Sequence, residues 1–376
     1  MSLAFLPACV GELPEADGAA VYTAEGPRGP EQACAWFGDR RDEILYFGQS
    51  AFWSTYRASG GNPSSDLERA GPALIGRFDL AAERLLAPLD VAWPEDRSGV
   101  WDVLAHPNGR VYFTTYFASA GWVDPASGAV ERFENVGNGL NELALGADGR
   151  ILASRYGLSG QDPEGGGDPE RGGAVAVLDP NGNLLSEFFL KPPSGFAVAP
   201  KTVAWDRVRR QIWVTTDLLP VSTDPPRDVR HDTYVLDDRG FELRRIEHPE
   251  IQFVAFAADG TGYLAEVSER ELWLRILPPS EPDSHAGGLR LPLDSDFAAD
   301  LDFVQDIQFS SEGDAVVSRW SGWVHLVGSD GEVRSLRLPT FEPDGLYYTA
   351  ALRDDRVCAT LCRDVSVVCR AVTPYP

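Results

Sequence analysis

The stretch Asn141–Ser154 reads NELALGADGRILAS: an apolar run around Leu143 and Leu145, the pair Asp148-Gly149, and a second apolar run opening at Ile151. Alternation on both sides of an Asp-Gly pair predicts a tight β-hairpin, because the turn needs backbone with φ above zero. The pattern recurs. WDVLAHPNGRVYFT begins at Trp101, KTVAWDRVRRQIWVT at Lys201, QFVAFAADGTGYLA at Gln252 and QDIQFSSEGDAVVS at Gln305, with weaker copies QACAWFGDRRDEILYF from Gln32 and YTAALRDDRVCAT from Tyr348. Seven copies spaced roughly 40 to 70 residues apart have the period of a solenoid, an array or a propeller.

A second hairpin follows most inner ones. Trp122-Val123-Asp124 leads through PASG to Val130, Ala174 to Leu178 through DPNG to Leu184, Tyr234 to Leu236 through DDRG to Phe241, and Val324 to Leu326 through GSDG to Val333. The unit is therefore four strands, A to D, with no helical periodicity between units. The expected fold is all-β: a seven-bladed β-propeller of four-stranded antiparallel blades. The last copy shows only three strands, at Tyr348, Arg356 and Val365, whereas AAVYTA from Ala19 precedes the first copy. An N-terminal strand is thus expected to complete the final blade. Residues 1–18 read as a signal remnant and tether, and residues 19–376 as one propeller domain.

In such a wheel the A–B and C–D turns share one face, and the B–C and D–A connections share the other. The irregular sequence falls on the second face, at residues 50–71, 155–173 and 217–231. Long loops on a rigid scaffold are where binding concentrates.

Composition excludes some partners. The 376 residues carry 57 acidic and 33 basic side chains, a net charge of −24, which repels phosphate backbones and argues against nucleic acid. No apolar run approaches the roughly 20 residues of a membrane-spanning helix.

Of five cysteines, Cys358 and Cys369 are equidistant from Arg363-Asp364, so a hairpin turning there sets them opposite each other at disulfide range. Cys34 and Cys362 fall in the first and last blades, neighbours in a closed ring, where a second bridge could form. Free thiols in a reducing cytosol are the alternative. Leu6-Pro7-Ala8-Cys9 resembles the lipobox of bacterial lipoproteins, which implies lipidation of Cys9 and export to the periplasm, outer membrane or cell surface. A cytoplasmic location is the other reading.

The residues opening the A strands should ring the channel mouth on the loop-rich face: Gln32, Trp101, Asn141, Lys201, Gln252, Gln305 and Tyr348, followed by Asp102, Glu142, Thr202 and Asp306. Polar side chains converging on a funnel make a candidate ligand site, or else bond to one another and to channel water. At the outer ends of the B strands Ser154-Arg155-Tyr156 and Ser318-Arg319-Trp320 recur, with Tyr116 and Asp217 in comparable places. Arginine beside an aromatic ring can hold a carboxylate or stack on a planar ligand; it can equally pair with an acidic loop.

NELALGADGRIL and its echoes at 101, 201, 252 and 305 resemble the strand-opening pattern of the gluconolactonase and strictosidine-synthase-like propellers, and more loosely NHL-repeat proteins, over residues 100–340. The resemblance implies a divalent cation such as Ca²⁺ in the central channel, held in the lactonases by a Glu, two Asn and an Asp. Asn141 matches, Gln32 stands in place of the Glu, and Lys201 would repel a cation. Hard cations favour carboxylate oxygen, which leaves a shifted set of Asp102, Asn141, Glu142 and Asp306. No nucleophile elbow, phosphate loop or C-x-x-C occurs, and the five histidines lack metal spacing. The expected function is an exported, non-catalytic binding propeller that recognises a protein or small molecule on its B–C/D–A face. The alternatives are a metal-dependent lactonase-like hydrolase and a structural subunit of a cell-surface assembly.

Overall fold

The computed structural model describes residues 12–16, 18–23, 34–50, 73–91, 99–115, 120–134, 136, 139–155, 173–220, 229–247, 250–268, 271–279, 288–291, 303–339, 341, 346–362 and 365–372. Apolar alternation with turn residues at regular intervals produces antiparallel meanders, and each meander closes as one blade. Strands A to D run Cys34–Arg41, Ile44–Ser50, Leu74–Asp79 and Arg84–Asp90 in blade 1, and Asp102–Ala105, Val111–Thr114, Ala120–Val123 and Val130–Arg132 in blade 2. Blade 3 comprises Leu140–Leu145, Ile151–Arg155, Ala174–Leu178 and Leu184–Phe189; blade 4, Phe196–Asp206, Gln211–Pro220, Arg230–Asp237 and Glu242–Glu247. Blade 5 comprises Glu250–Phe256, Gly262–Ser268, Glu271–Leu277 and Gly288–Leu291; blade 6, Val304–Phe309, Ala315–Arg319, Trp323–Val327 and Val333–Arg337.

Blade 7 takes strands A to C from Leu346–Arg353, Arg356–Cys362 and Ser366–Ala371, and its fourth strand, Ala19–Thr23, from the N-terminus. Glu12–Ala16, expected as tether, adds a fifth strand by pairing with Ala19–Thr23. The reason is local: Gly18, at φ 76°, turns the chain back on itself. Each A strand touches the A strands of both neighbours, and the seventh touches the first, so seven antiparallel blades close a β-propeller. No α-helix occurs among the described residues.

What holds the wheel is the surface between blades. One apolar cluster fills each of the seven seams; that between blades 6 and 7, for example, buries Val21, Leu326, Tyr347 and Val357, and that between blades 7 and 1 buries Tyr22, Phe47, Phe78 and Val367. A strand covered by a blade on either side can be apolar on both faces, as in AVAVL of Ala174–Leu178, wholly buried. Each such side chain contributes about 1.5–3 kcal/mol.

The hairpin at Asp148-Gly149 is longer than the two-residue turn expected. Leu145 pairs with Ile151, and the five residues between them include Asp148 at φ 55° and Gly149 at φ 73°. The Asp-Gly pair supplies left-handed backbone as its composition dictates, within a wider loop closed by Gly146 N donating to Arg150 O at 2.8 Å. In blade 7, Cys358 and Cys369 are directly paired across strands B and C and joined by a disulfide, Cα to Cα 4.0 Å. Cys362 is also disulfide-bonded. The side chain of its expected partner Cys34 lies outside the described residues, as does Cys9.

Candidate functional site at the channel mouth

The residues expected to open the A strands occupy a different place. In six blades the A–B ladder skips register where the motif begins: between Leu140 and Leu143, Pro200 and Val203, Ile251 and Phe253, Val304 and Asp306, Tyr347 and Ala350, and Ala35 and Gly38. Asn141, Lys201, Gln252, Gln305 and Tyr348 sit inside these bulges, within their strands, while Trp101 directly precedes the unbroken strand of blade 2. Gln32 and Tyr116 lie outside the described residues. A bulge re-aims backbone and side-chain polar groups, and here it aims them at the next blade.

One hydroxyl near the end of a B strand donates to the bulge carbonyl of the following blade. Thr114 reaches Asn141 O at 2.8 Å, Ser154 reaches Lys201 O at 3.0 Å, Ser318 reaches Tyr348 O, and Thr360 reaches Trp36 O at 3.0 Å. Other A-strand side chains also bridge to the next blade, Asp102, Gln252 and Thr349 as acceptors and Asn141 as a donor. Leu143 N donates to Asp102 at 2.7 Å, Val304 N to Gln252 at 3.0 Å, Gly38 N to Thr349 at 2.8 Å, and Asn141 Nδ2 donates to Lys201 O at 3.2 Å. Asp39, outside the expected ring, accepts from Ala105 N at 2.9 Å. Asp102, Asn141 and Gln252 are thereby committed to fastening blades together.

Asp39, Asp102, Glu142 and Asp306 line an axial cavity of about 230 Å³, walled further along by Trp205, Phe253, Phe256 and Phe309. Burial disfavours their charge. It raises Asp39 to about 6 and Asp306 to about 7, and it lifts Asp102 and Glu142 well above the ordinary carboxylate range, helped by repulsion among the four. Among the described residues no three His, Cys, Asp or Glu side chains are grouped so as to hold a metal ion. The shifted set of Asp102, Asn141, Glu142 and Asp306 therefore does not fit the cation that the lactonase resemblance implies.

Arg155 and Arg319 are interior. Arg155, 8% exposed, pairs with Glu187 of its own blade at 2.5 Å and donates to Val136 O. Arg319 is fully buried, with Nη1 3.3 Å from His325 Nε2. Burial and the adjacent guanidinium push that histidine down to about 3. The outer ends of these two B strands are buried, so both arginines brace their own blades, 3 and 6.

Two features do face the mouth. At the junction of blades 7, 1 and 2 the rings of Trp36, Phe37, Trp101 and Tyr348 pack with centroids 4.7 to 5.7 Å apart; Trp36 and Tyr348 are buried, Phe37 and Trp101 partly exposed. Across blades 4 and 5 lies an ionisable group. The A and B strands of blade 4 continue past the bulge, Phe196 pairing with Pro220, and carry Asp217 beyond it. Asp217 pairs with His231 across strands B and C, and His231 Nδ1 lies 2.8 Å from its carboxylate. Lys201 Nζ approaches the same oxygen at 3.5 Å, and His231 Nε2 is 3.6 Å from Glu250, which opens the A strand of blade 5. Their side chains are 30%, 23%, 25% and 21% exposed for Lys201, Asp217, His231 and Glu250, so water and solutes reach all four. Burial works against the charge of Asp217, but the His231 hydrogen bond and the Lys201 ammonium together hold it below the ordinary range. The carboxylate fixes the orientation of the imidazole, an arrangement able to anchor a polar ligand or exchange a proton with one.

His231 and Glu250 were not among the expected site residues. The signal was present: a B–C hairpin pairing Trp213 with Val235 also sets Asp217 opposite His231. Nothing in the repeat pattern marked Glu250 or Asp39.

No family model matches the sequence, and no curated protein matches it. Among solved structures, selenomethionine-substituted virginiamycin B lyase from Staphylococcus aureus superposes with a TM-score of 0.58 at 8% identity, covering 94% of this chain and 99% of the lyase. A catalytically inactive histidine-to-alanine variant of that lyase, with quinupristin, gives 0.56 at 8% identity over 93% and 99%. Likeness at this identity shows the propeller fold alone.

Proposed function

We propose that this protein is an exported, non-catalytic recognition propeller that holds a small molecule or a partner's polar group at Lys201, Asp217, His231 and Glu250 on its B–C/D–A face. One observation carries the reading: Asp217 is bonded by both Lys201 and His231 while all four side chains stay accessible. Charges of both signs fixed in advance lower the ordering cost of binding. The disulfide of blade 7 and the lipobox-like Cys9 support export, since disulfides persist in oxidising compartments. Intact mass of protein purified from membranes tests the anchor at Cys9.

Thermal-shift titration with zwitterionic dipeptides, sugar acids and quinupristin tests the site. At least one compound raises the melting temperature of the wild type, fails to do so for Lys201→Ala/His231→Ala, and is recovered unchanged. Binding that survives the double substitution, or no binding at all, contradicts the reading. A second reading rests on the 2.8 Å Asp217–His231 contact, which suits general acid–base chemistry, and on the neighbouring lyase, whose histidine-to-alanine variant is inactive. It predicts that a bound compound is recovered altered, at a rate that collapses in His231→Ala.

A further inference from the structure

Four carboxyls converge on the axis from four blades: Asp39 from blade 1, Asp102 from blade 2, Glu142 from blade 3 and Asp306 from blade 6, all lining the cavity of about 230 Å³. No Lys, Arg or His side chain is among the described residues that line it. Past the carboxyls the wall turns apolar, with Leu145, Trp205, Phe253, Phe256 and Phe309. Leu145, Phe256 and Phe309 end their A strands, so this part of the channel leads to the A–B turns, on the face opposite Lys201 and His231.

The carboxyls are not satisfied from within the protein. Asp102, 5% exposed, spends Oδ2 on Leu143 N. Glu142 donates its amide to Ser154 Oγ at 3.0 Å, while its carboxyl, deep enough for burial to disfavour its charge, accepts no hydrogen bond from the described residues. A buried acid that faces a cavity without a donor costs free energy, which a solute bearing N–H groups recovers. A metal ion needs several oxygens gathered about one point, and no three acidic side chains among the described residues are so grouped. An ammonium instead makes separate, directional hydrogen bonds, and the carbon chain behind it suits an apolar wall.

We infer that the axial cavity binds a linear aliphatic polyamine, one ammonium among Asp39, Asp102, Glu142 and Asp306 and the carbon chain along the apolar wall toward the A–B turns. The net charge of −24 draws such cations to the molecule. Burial holds the empty ring largely protonated, with Asp39 at about 6, Asp306 at about 7 and the other two well above their ordinary range. The charges acting on the ring are Arg41 on Asp39, Lys201 on Glu142 and the carboxyls on one another. An ammonium favours the ionised form, so binding expels protons and tightens as pH rises through that range.

Titration calorimetry of the full chain with putrescine and spermidine tests this, run at pH 6 and pH 8 and in two buffers of different ionisation enthalpy. At least one of the two amines binds, about tenfold or more tightly at the higher pH, and about one proton or more is released per amine at neutral pH. Glu142→Gln, whose carboxyl has no hydrogen-bond donor to lose, weakens binding about tenfold, and so does Asp306→Asn. A circular dichroism melt confirms that each variant folds. Lys201→Ala/His231→Ala, at the other face, leaves the affinity unchanged, so failure here is separate from failure of the mouth site. No binding of either amine, binding without proton release, or equal affinity in both carboxyl variants overturns the inference. So does displacement of the bound amine by equimolar calcium chloride, which would make the cavity a metal site, or loss of binding in Lys201→Ala/His231→Ala, which would place the amine at the mouth.

Discussion

Thr360 of blade 7 donates its hydroxyl to the carbonyl of Trp36 in blade 1 at 3.0 Å, across 324 residues of sequence, and so latches the last blade to the first. Its oxygen also accepts from Thr349 N at 3.0 Å, and the side chain is fully buried. Ser154 and Lys201 stand in the same relation between blades 3 and 4. A small hydroxyl at this point of the B strand is therefore a joint of the wheel.

Thr360→Val keeps the shape and removes the joint. It leaves a buried N–H and a buried carbonyl unsatisfied, a loss of about 2–4 kcal/mol, whereas Thr360→Ser retains most of the stability. Chemical denaturation of the three proteins gives the ordering wild type, Ser, Val. Equal midpoints for Val and wild type would remove the latch from the account.

The axial carboxyls make stability depend on pH. Asp306 titrates near 7 and Asp39 near 6 when folded, both because of burial, against about 3.8 for an unfolded aspartate. Between those values the unfolded chain releases protons that the folded chain retains, so stability is fullest at the acid end and is lost as pH rises through 7, at about 1.4 kcal/mol for each tenfold. The melting temperature is expected to fall from pH 5 to 8 in the wild type and to fall less in Asp306→Asn. Parallel profiles would show that the carboxyl is not held protonated.

Among the described residues, removing residues 1–17 deletes the fifth strand of blade 7 alone and leaves the ring closed. Removing residues 1–24 also takes Ala19, Val21 and Tyr22, which fill the seams on both sides of that blade. Two such side chains alone account for about 3–6 kcal/mol, so the longer deletion melts far lower or aggregates while the shorter one does not. Differential scanning calorimetry separates the two.

Much of this was legible beforehand. Apolar alternation around Asp148-Gly149 and its echoes fixed seven blades, the unfinished last blade called for the strand at Ala19, and the spacing around Arg363-Asp364 placed Cys358 against Cys369. The site was harder to read. A repeat shows which residues recur but not the bulge that contains them, so Asn141 and Gln252 looked like a ligand ring when their partners are backbone groups one blade away. Arg155 and Arg319 could be read either as ligand-holding or as paired with an acidic neighbour; Glu187 and His325 show how each is enclosed. His231 and Glu250 meet through pairing and blade order, which no local motif records.

The disulfide of blade 7 closes a loop with a sequence separation of 11, so Cys358→Ala/Cys369→Ala is expected to lose about 2–3 kcal/mol while remaining a closed wheel. Scattering at small angles reads the shape, and a denaturant midpoint reads the loss. An unchanged midpoint would mean that the bond constrains nothing.

The motif's polar residues close the wheel from blade to blade. Native-state hydrogen exchange at the amides of Gly38, Ala105, Leu143 and Val304 tests it most directly, because each donates to a side chain of the neighbouring blade. All four should exchange only through global opening, as slowly as amides in the middle strands. Exchange at the rate of open loops would contradict this and mean that the seams are not fastened there.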